Sequence, residues 1–261
     1  DYKDPKTLSE FILPNLKGEN LFVGDFFDEE KLKSLTEKNI TFDYIIGNPP
    51  WGNVKTGLHM SYCKSKGFAD KQQNNEISRS FVFRAKDFCT VNTTCCFILH
   101  SKLLYNQKKP AVKFRKLMLK ETEICDIVEL SSVRKFVFEN ADAPAAIIAF
   151  KYNCQNNLNH NFTYTSVKPN VFHVICIEKN DVKSISQALL FTYDWAWKTI
   201  VYGSSYDLEI IIKLKSKYST IEQTLDEQTP SIIKGAGVEY QDGDKKDATH
   251  LLGRKLLNSQ N

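Results

Sequence analysis

The residues best suited to chemistry are Gly47-Asn48-Pro49-Pro50-Trp51, which follow the apolar run Phe42 to Ile46. Two successive prolines forbid a continuing strand ladder, because neither has an N–H to donate and both fix φ. The run is therefore expected to be a buried strand ending in a rigid loop. That loop presents one amide, able to accept and donate hydrogen bonds, and one flat aromatic ring. In open α/β sheets ligands bind at the carboxyl ends of strands, so this is where chemistry is expected.

The elements around the loop follow an α/β rhythm. Asn20 to Val23 reads as a short strand running into Gly24-Asp25-Phe26-Phe27. Asp28 to Lys38 carries leucines at 32 and 35 among alternating charges, the pattern of a surface helix before the Phe42–Ile46 strand. Strand, helix and strand of these lengths make a βαβ unit and imply a parallel sheet. Residues 53–75 are polar and lysine-rich, with almost no periodicity, and read as a long functional loop. Ile77, Phe81, Ala85 and Phe88 have helical spacing; Thr93 to Leu99 is a second buried strand, and Val112 to Leu119 a helix with a basic face. Ile124 to Leu130 and Ala145 to Phe150 are two further strands with no helix between them, expected to form an antiparallel hairpin at one edge of the sheet. After Tyr152 an asparagine-rich stretch reads as a linker. A hairpin is expected over Phe162–Val167 and Val171–Ile177, an amphipathic helix over Tyr206–Lys217, and a new β-like start at Ser231–Gly235.

Composition excludes several classes. At 261 residues the chain is one large domain or one domain and part of another. Hydrophobic residues at 42% and charged residues at 25% are ordinary globular values. A net charge of +4 is compatible with a nucleic-acid partner without requiring one. Seven cysteines form no CxxC pair, and several lie in apolar runs, which suits a reducing cytoplasm better than a disulfide framework. No apolar run approaches the ~20 residues needed to cross a bilayer. His59, His100, His160, His173 and His250 share no metal-ligand spacing, so no metal is assigned.

GNPPW after a Phe-Asp-Tyr-Ile-Ile strand resembles the catalytic motif of amino-methyltransferases acting on adenine in DNA, more narrowly the methylase part of type II and type IIG restriction–modification enzymes. The resemblance implies a Rossmann-like S-adenosylmethionine-dependent methyltransferase fold, incomplete at the N-terminus, with a C-terminal antiparallel strand pair. It also gives the loop a task. The exocyclic amine of adenine is a poor nucleophile, because its lone pair is delocalised into the ring. Asn48 and the carbonyl of Pro49 would each accept one amine N–H, and Pro50 would help hold the geometry before substrate arrives. The adenine must be flipped from the duplex, to stack on Trp51.

Lys135-Phe136-Val137-Phe138-Glu139-Asn140 is similar to the family segment whose phenylalanine covers the other face of the base; Phe138 is the choice and Phe136 the rival. Asp25 fits the acidic residue that hydrogen-bonds the cofactor adenine, with Phe26 packing beside it, and Asn48 borders the same cofactor. Lys55, Lys64, Lys66 and Lys71 are candidates for the DNA backbone, with Lys108, Lys109, Lys113, Arg115 and Lys116 as further phosphate contacts. The family's glycine-rich cofactor loop has no counterpart before Asp25. The chain is therefore expected to be a fragment, inactive alone, comprising a partial catalytic domain (1–152), a linker, hairpin and helix (153–229) and the start of a target-recognition domain (230–261). Double-stranded DNA and other domains or subunits of a restriction–modification enzyme are the implied partners. Rival readings are a protein glutamine methyltransferase using the same loop, a cytosine N4 methyltransferase, and a non-catalytic DNA-recognition subunit.

Overall fold

In the computed structural model, residues 21–37, 40–68, 76–138, 143–152, 158–169 and 175–227 are described. The chain divides into two compact units, Asp1–Ile210 and Ile211–Asn261. The strands are β1 (Tyr44–Gly47), β2 (Thr94–His100), β3 (Thr122–Glu129), β4 (Ala145–Tyr152), β5 (Asn161–Ser166), β6 (Lys168–Pro169), β7 (Ile175–Cys176) and β8 (Val182–Ser186). The helices of the first unit are α1 (Glu29–Glu37), α2 (Leu58–Ser65), α3 (Ile77–Ala85), α4 (Lys102–Tyr105), α5 (Lys109–Glu121), α6 (Arg134–Val137), α7 (Gln187–Thr192) and α8 (Ala196–Tyr202). Helix α9 (Ser205–Lys217) crosses the boundary in sequence, and α10 (Ile221–Asp226) belongs to the second unit. None of these helices is long and apolar enough to cross a membrane.

Six strands form one sheet in the order β1-β2-β4-β3-β5-β8. The pairs β1–β2 and β3–β5 are parallel, while β4 is antiparallel to both its neighbours and β8 to β5. Four strands, β1, β2, β3 and β5, therefore run the same way, and their carboxyl ends share one rim. The α/β class and the antiparallel strand pair expected from the sequence are both present. Apolar side chains on alternate positions of β2 (Cys95, Phe97, Leu99) are buried, as are Ile148 and Phe150 of β4. Helix α5 lays Ala111, Phe114, Met118 and Leu119 into this core, a spacing that keeps them on one face. Pro110 starts α5 where its missing N–H costs nothing.

The structure departs from the sequence reading in several places. The strand before the motif is not buried: Tyr44 and Ile46 are 69% and 77% exposed, because β1 ends the sheet among the described residues. Residues 21–23 carry an isolated bridge at Leu21 and are exposed, so they do not form the expected strand. The β3–β4 pair does form, but in the interior of the sheet. Ala145, Ala146, Ile148 and Phe150 are all buried, and a strand apolar on both faces suits a central position. The sheet continues beyond Tyr152 through β5 and β8. Phe162–Ser166 joins it as β5, so the expected hairpin shrinks to Lys168–Pro169 paired with Ile175–Cys176. The supposedly irregular 53–75 contains α2, whose buried His59, Tyr62 and Cys63 sit at helical spacing among lysines. The expected helix at 206–217 is present as α9. Residues 230–261 lie outside the described residues.

Candidate active site

Gly47 closes β1 where space is short. A Cβ there would lie 3.0 Å from the Phe97 ring on β2, so glycine lets the chain turn out of the sheet against its neighbour. The next residue, Asn48, is exposed, and no hydrogen bond among the described residues occupies its amide. Pro49 is buried and Pro50 exposed. The indole N–H of Trp51 donates to the carbonyl of Ile98 on β2 across 3.3 Å. Beyond it Gly52 takes φ +128°, a conformation that side-chain-bearing residues rarely adopt. Its N–H donates to Glu76 Oε1 at 3.2 Å, its carbonyl accepts from Ile77 at 3.0 Å, and Ser78 Oγ donates to the same Glu76 oxygen at 2.9 Å. The motif loop is thus fastened to β2 on one side and to the start of α3 on the other.

Half-buried Trp51 and Phe138 pack against one apolar cluster formed by Leu130, Val133, Ala145 and Val167. Phe136, the rival, is 49% exposed and is not part of that cluster. Two aromatic residues separated by most of the domain in sequence are thereby brought to the same rim. His100, the last residue of β2, lies 5.7 Å from the Trp51 ring. Its Nδ1 accepts from the Lys102 N–H at 3.1 Å, which leaves the proton on Nε2. Burial, and then the charge of Lys102, push its pKa below the ordinary imidazole value, so the ring beside the motif is neutral near pH 7. Neither His100 nor Glu76 was singled out as a site residue from the sequence. The signal available for His100 was its place at the end of the TCCFILH run.

Asp25 is exposed at a turn, and its Oδ1 accepts the Phe27 N–H at 2.8 Å, leaving Oδ2 available. Phe26 is half-buried and stacked with Phe81 (5.1 Å, 14°) and Phe88 (5.4 Å, 24°), so the aromatic core grips its ring. Arg84, 3% exposed, holds this turn from beneath. Its Nε donates to the Phe26 carbonyl at 3.1 Å, Nη1 reaches Asp87 at 2.6 Å, and the guanidinium lies 5.0 Å from the Tyr62 and Phe88 rings. Asp25, Phe26 and Pro50 line one cavity of about 430 Å³, with His59 and Phe81 at its wall. The turn therefore shares a space with the motif loop at Pro50, while Asn48, Pro49 and Trp51 do not line it.

The basic candidates divide. Lys55 and Lys64 are exposed; Lys66 is exposed too, but lies 3.9 Å from Glu29; Lys71 lies outside the described residues. On α5, Lys109, Lys113 and Lys116 face solvent, as does Lys108 just before it. Arg115 does not. It is 1% exposed, forms a two-pronged pair with Asp194 (2.9 and 2.5 Å) and donates to the carbonyls of Leu103 and Asn106, both at 2.8 Å. It is a structural tie: four of its five N–H donors are engaged, and its burial keeps it from phosphate.

The family model described as Eco57I restriction-modification methylase matches residues 5–136. No curated protein matches the chain. Among solved structures it is similar to the type I restriction-modification system methyltransferase subunit from Streptococcus thermophilus, at 16% identity over 78% of this chain and 38% of that one, with a TM-score of 0.44. It is similar to the EcoKI M protein of a type I restriction enzyme at 12% identity, 71% and 35% coverage and a TM-score of 0.44. The type IIG restriction endonuclease BpuSI gives 11% identity, 68% and 22% coverage and a TM-score of 0.48. The chain spans 22% to 38% of these proteins' lengths.

Proposed function

Because the chain belongs to the Eco57I restriction-modification methylase family, we propose that it carries the catalytic loop of a site-specific DNA methyltransferase acting on the exocyclic N6 amine of adenine. S-adenosylmethionine would supply an electrophilic methyl group. Every other task falls to residues of this chain. Asn48 Oδ1 and the Pro49 carbonyl accept the two amine hydrogens, which draws the nitrogen lone pair out of conjugation and aims it. Pro50, with the anchors at Ile98 and Glu76, keeps these acceptors from relaxing. Trp51 and Phe138 receive the flipped base, and neutral His100 lines the Trp51 side without adding a charge.

The observation that carries this reading is the shared cavity of Asp25, Phe26 and Pro50, which puts a candidate cofactor turn beside the motif loop. The fit of the cofactor is favourable at its adenine end. Asp25 Oδ2 is available to accept an adenine N–H, and Phe26 borders the cavity while Phe81 and Phe88 hold it still. Lys55 and Lys64, and the solvent-facing lysines of α5, would meet DNA phosphates. Residues 230–261 would begin a target-recognition region, and the protein would work in the cytoplasm alongside other domains or subunits of a restriction–modification enzyme. The test is S-adenosylmethionine binding by calorimetry, wild type against Asp25→Ala. Binding weakened by the substitution supports the assignment; binding indifferent to it contradicts the assigned pocket.

A further inference from the structure

A second, larger cavity of about 700 Å³ opens on the same rim and is not used by the methylase reading. It lies over the ends of β3 and β5, whose last residues, Glu129 and Ser166, are register partners in a parallel pair. Partners in a parallel ladder point to the same face, so both side chains approach the cavity together. Glu129 is only 6% exposed. Its Oε1 accepts from the Ser131 backbone N–H at 3.0 Å and from the Ser131 hydroxyl, but Oε2 has no hydrogen-bond partner among the described residues. Tyr164 and Ser101 stand close to the carboxylate without hydrogen-bonding geometry to that oxygen. Ser166 Oγ and Arg134 Nε, of two residues that line the same cavity, are likewise buried and without a partner among the described residues, as is the Tyr164 hydroxyl that stands beside Glu129 and Ser166. Buried polar groups are normally satisfied, and three orphans around one cavity describe the ligand they lack.

That ligand must both donate and accept. The lining carries both signs, Glu129 and Asp207 against Arg134, Lys168 and Lys183, so neither a bare anion nor a bare cation is matched throughout. At the mouth, Tyr105 and Tyr202 meet edge to face at 5.4 Å, with Tyr202 68% exposed, so the Tyr202 ring adjoins the polar floor. We propose that this cavity binds a nucleobase: Glu129 Oε2 accepts an N–H from its polar edge, Arg134 Nε and Ser166 Oγ meet an adjacent acceptor, and the Tyr202 ring stacks on it. The base comes either from a free nucleotide or from a DNA strand. Only the second source rests on the methylase reading. The pocket is separate from the Trp51–Phe138 cluster, although Val167 borders both.

The test titrates each common deoxynucleoside monophosphate, then short homopolymeric single strands, into the full chain by calorimetry. The same titrations follow with Glu129→Gln, Ser166→Ala and Trp51→Ala, each checked for folding by circular dichroism. At least one monophosphate or strand is expected to bind, about tenfold more weakly to Glu129→Gln and to Ser166→Ala, while Trp51→Ala removes only the share of strand binding made at the motif loop. Should Glu129→Gln fail to fold, Ser166→Ala carries the comparison. Tighter binding of strands than of monophosphates assigns the DNA source; monophosphate binding that strands do not displace assigns a free nucleotide. No binding of either, or binding that neither Glu129→Gln nor Ser166→Ala weakens, overturns the proposal. Methyl transfer is not read, so the proposal can fail while the methylase reading stands.

Discussion

The Trp51 indole N–H lies 3.3 Å from the carbonyl of Ile98, so the ring that ends the Asn-Pro-Pro motif is fixed by the neighbouring strand as well as by its own loop. A ring held in advance loses little freedom when a base stacks on it. Trp51→Ala should weaken binding of a 2-aminopurine-labelled target by about 1–3 kcal/mol, the usual worth of one stacked base. Trp51→Phe keeps the face and loses only the tether, so it should recover most of that binding. Fluorescence titration reads both variants, and equal losses in the two would contradict a stacking role.

The cofactor turn should respond in two grades. Asp25→Ala removes a charged acceptor outright and should weaken S-adenosylmethionine binding by about 1.5–3 kcal/mol. Arg84→Lys acts indirectly, by loosening the Phe26 carbonyl and the aromatic rings around it, since lysine cannot hold that oxygen and Asp87 together. Its effect on affinity should be smaller, about tenfold or less. Calorimetry orders the two, and a larger loss in Arg84→Lys would shift the binding role away from Asp25.

Much of this site was legible because short-range chemistry declares itself. Gly47-Asn48-Pro49-Pro50-Trp51 can only end a strand, and its exposed amide and anchored ring follow from that. The choice of Phe138 over Phe136 rests on the family resemblance, since both are aromatic and two residues apart. Packing against Val133 and Val167 distinguishes them. Arg115 was misread for a different reason: its partner Asp194 lies 79 residues away, and a basic helix face does not reveal which charge turns inward. The central place of β4 was hidden likewise, because strand order depends on long-range pairing that local pattern does not encode.

Arg115 and its helical neighbours should therefore behave oppositely. Arg115→Met leaves Asp194, whose side chain is 13% exposed, without its partner. It should cost about 3–5 kcal/mol of stability. Lys113→Ala and Lys116→Ala should leave stability within about 0.5 kcal/mol. Each lysine that contacts a phosphate should reduce the salt slope of DNA binding by about 0.9. Denaturant melts and salt-dependent binding separate the two outcomes.

Glu129 predicts a pH signature. Burial holds its carboxyl above the ordinary carboxylate value, against the opposing hydrogen bonds from Ser131. Tyr164 and Arg134 border the same cavity or carboxylate. The folded state then keeps its proton to higher pH than the unfolded state does. Its contribution to stability is best below the unfolded value and declines as pH rises towards the folded one. Glu129→Gln should flatten that part of the pH–Tm curve. An identical curve in the variant would show that Glu129 is not the group responsible.

The most direct test of the central claim is a mass-spectrometric count of methylated bases in DNA. The DNA is treated with S-adenosylmethionine and the gene product that carries these 261 residues, wild type against Asn48→Ala. The account predicts N6-methyladenine, with its rate of formation falling about 10²–10³-fold when the Asn48 acceptor is removed. N4-methylcytosine as the product, no methylated base, or N6-methyladenine formed equally fast by Asn48→Ala would contradict it.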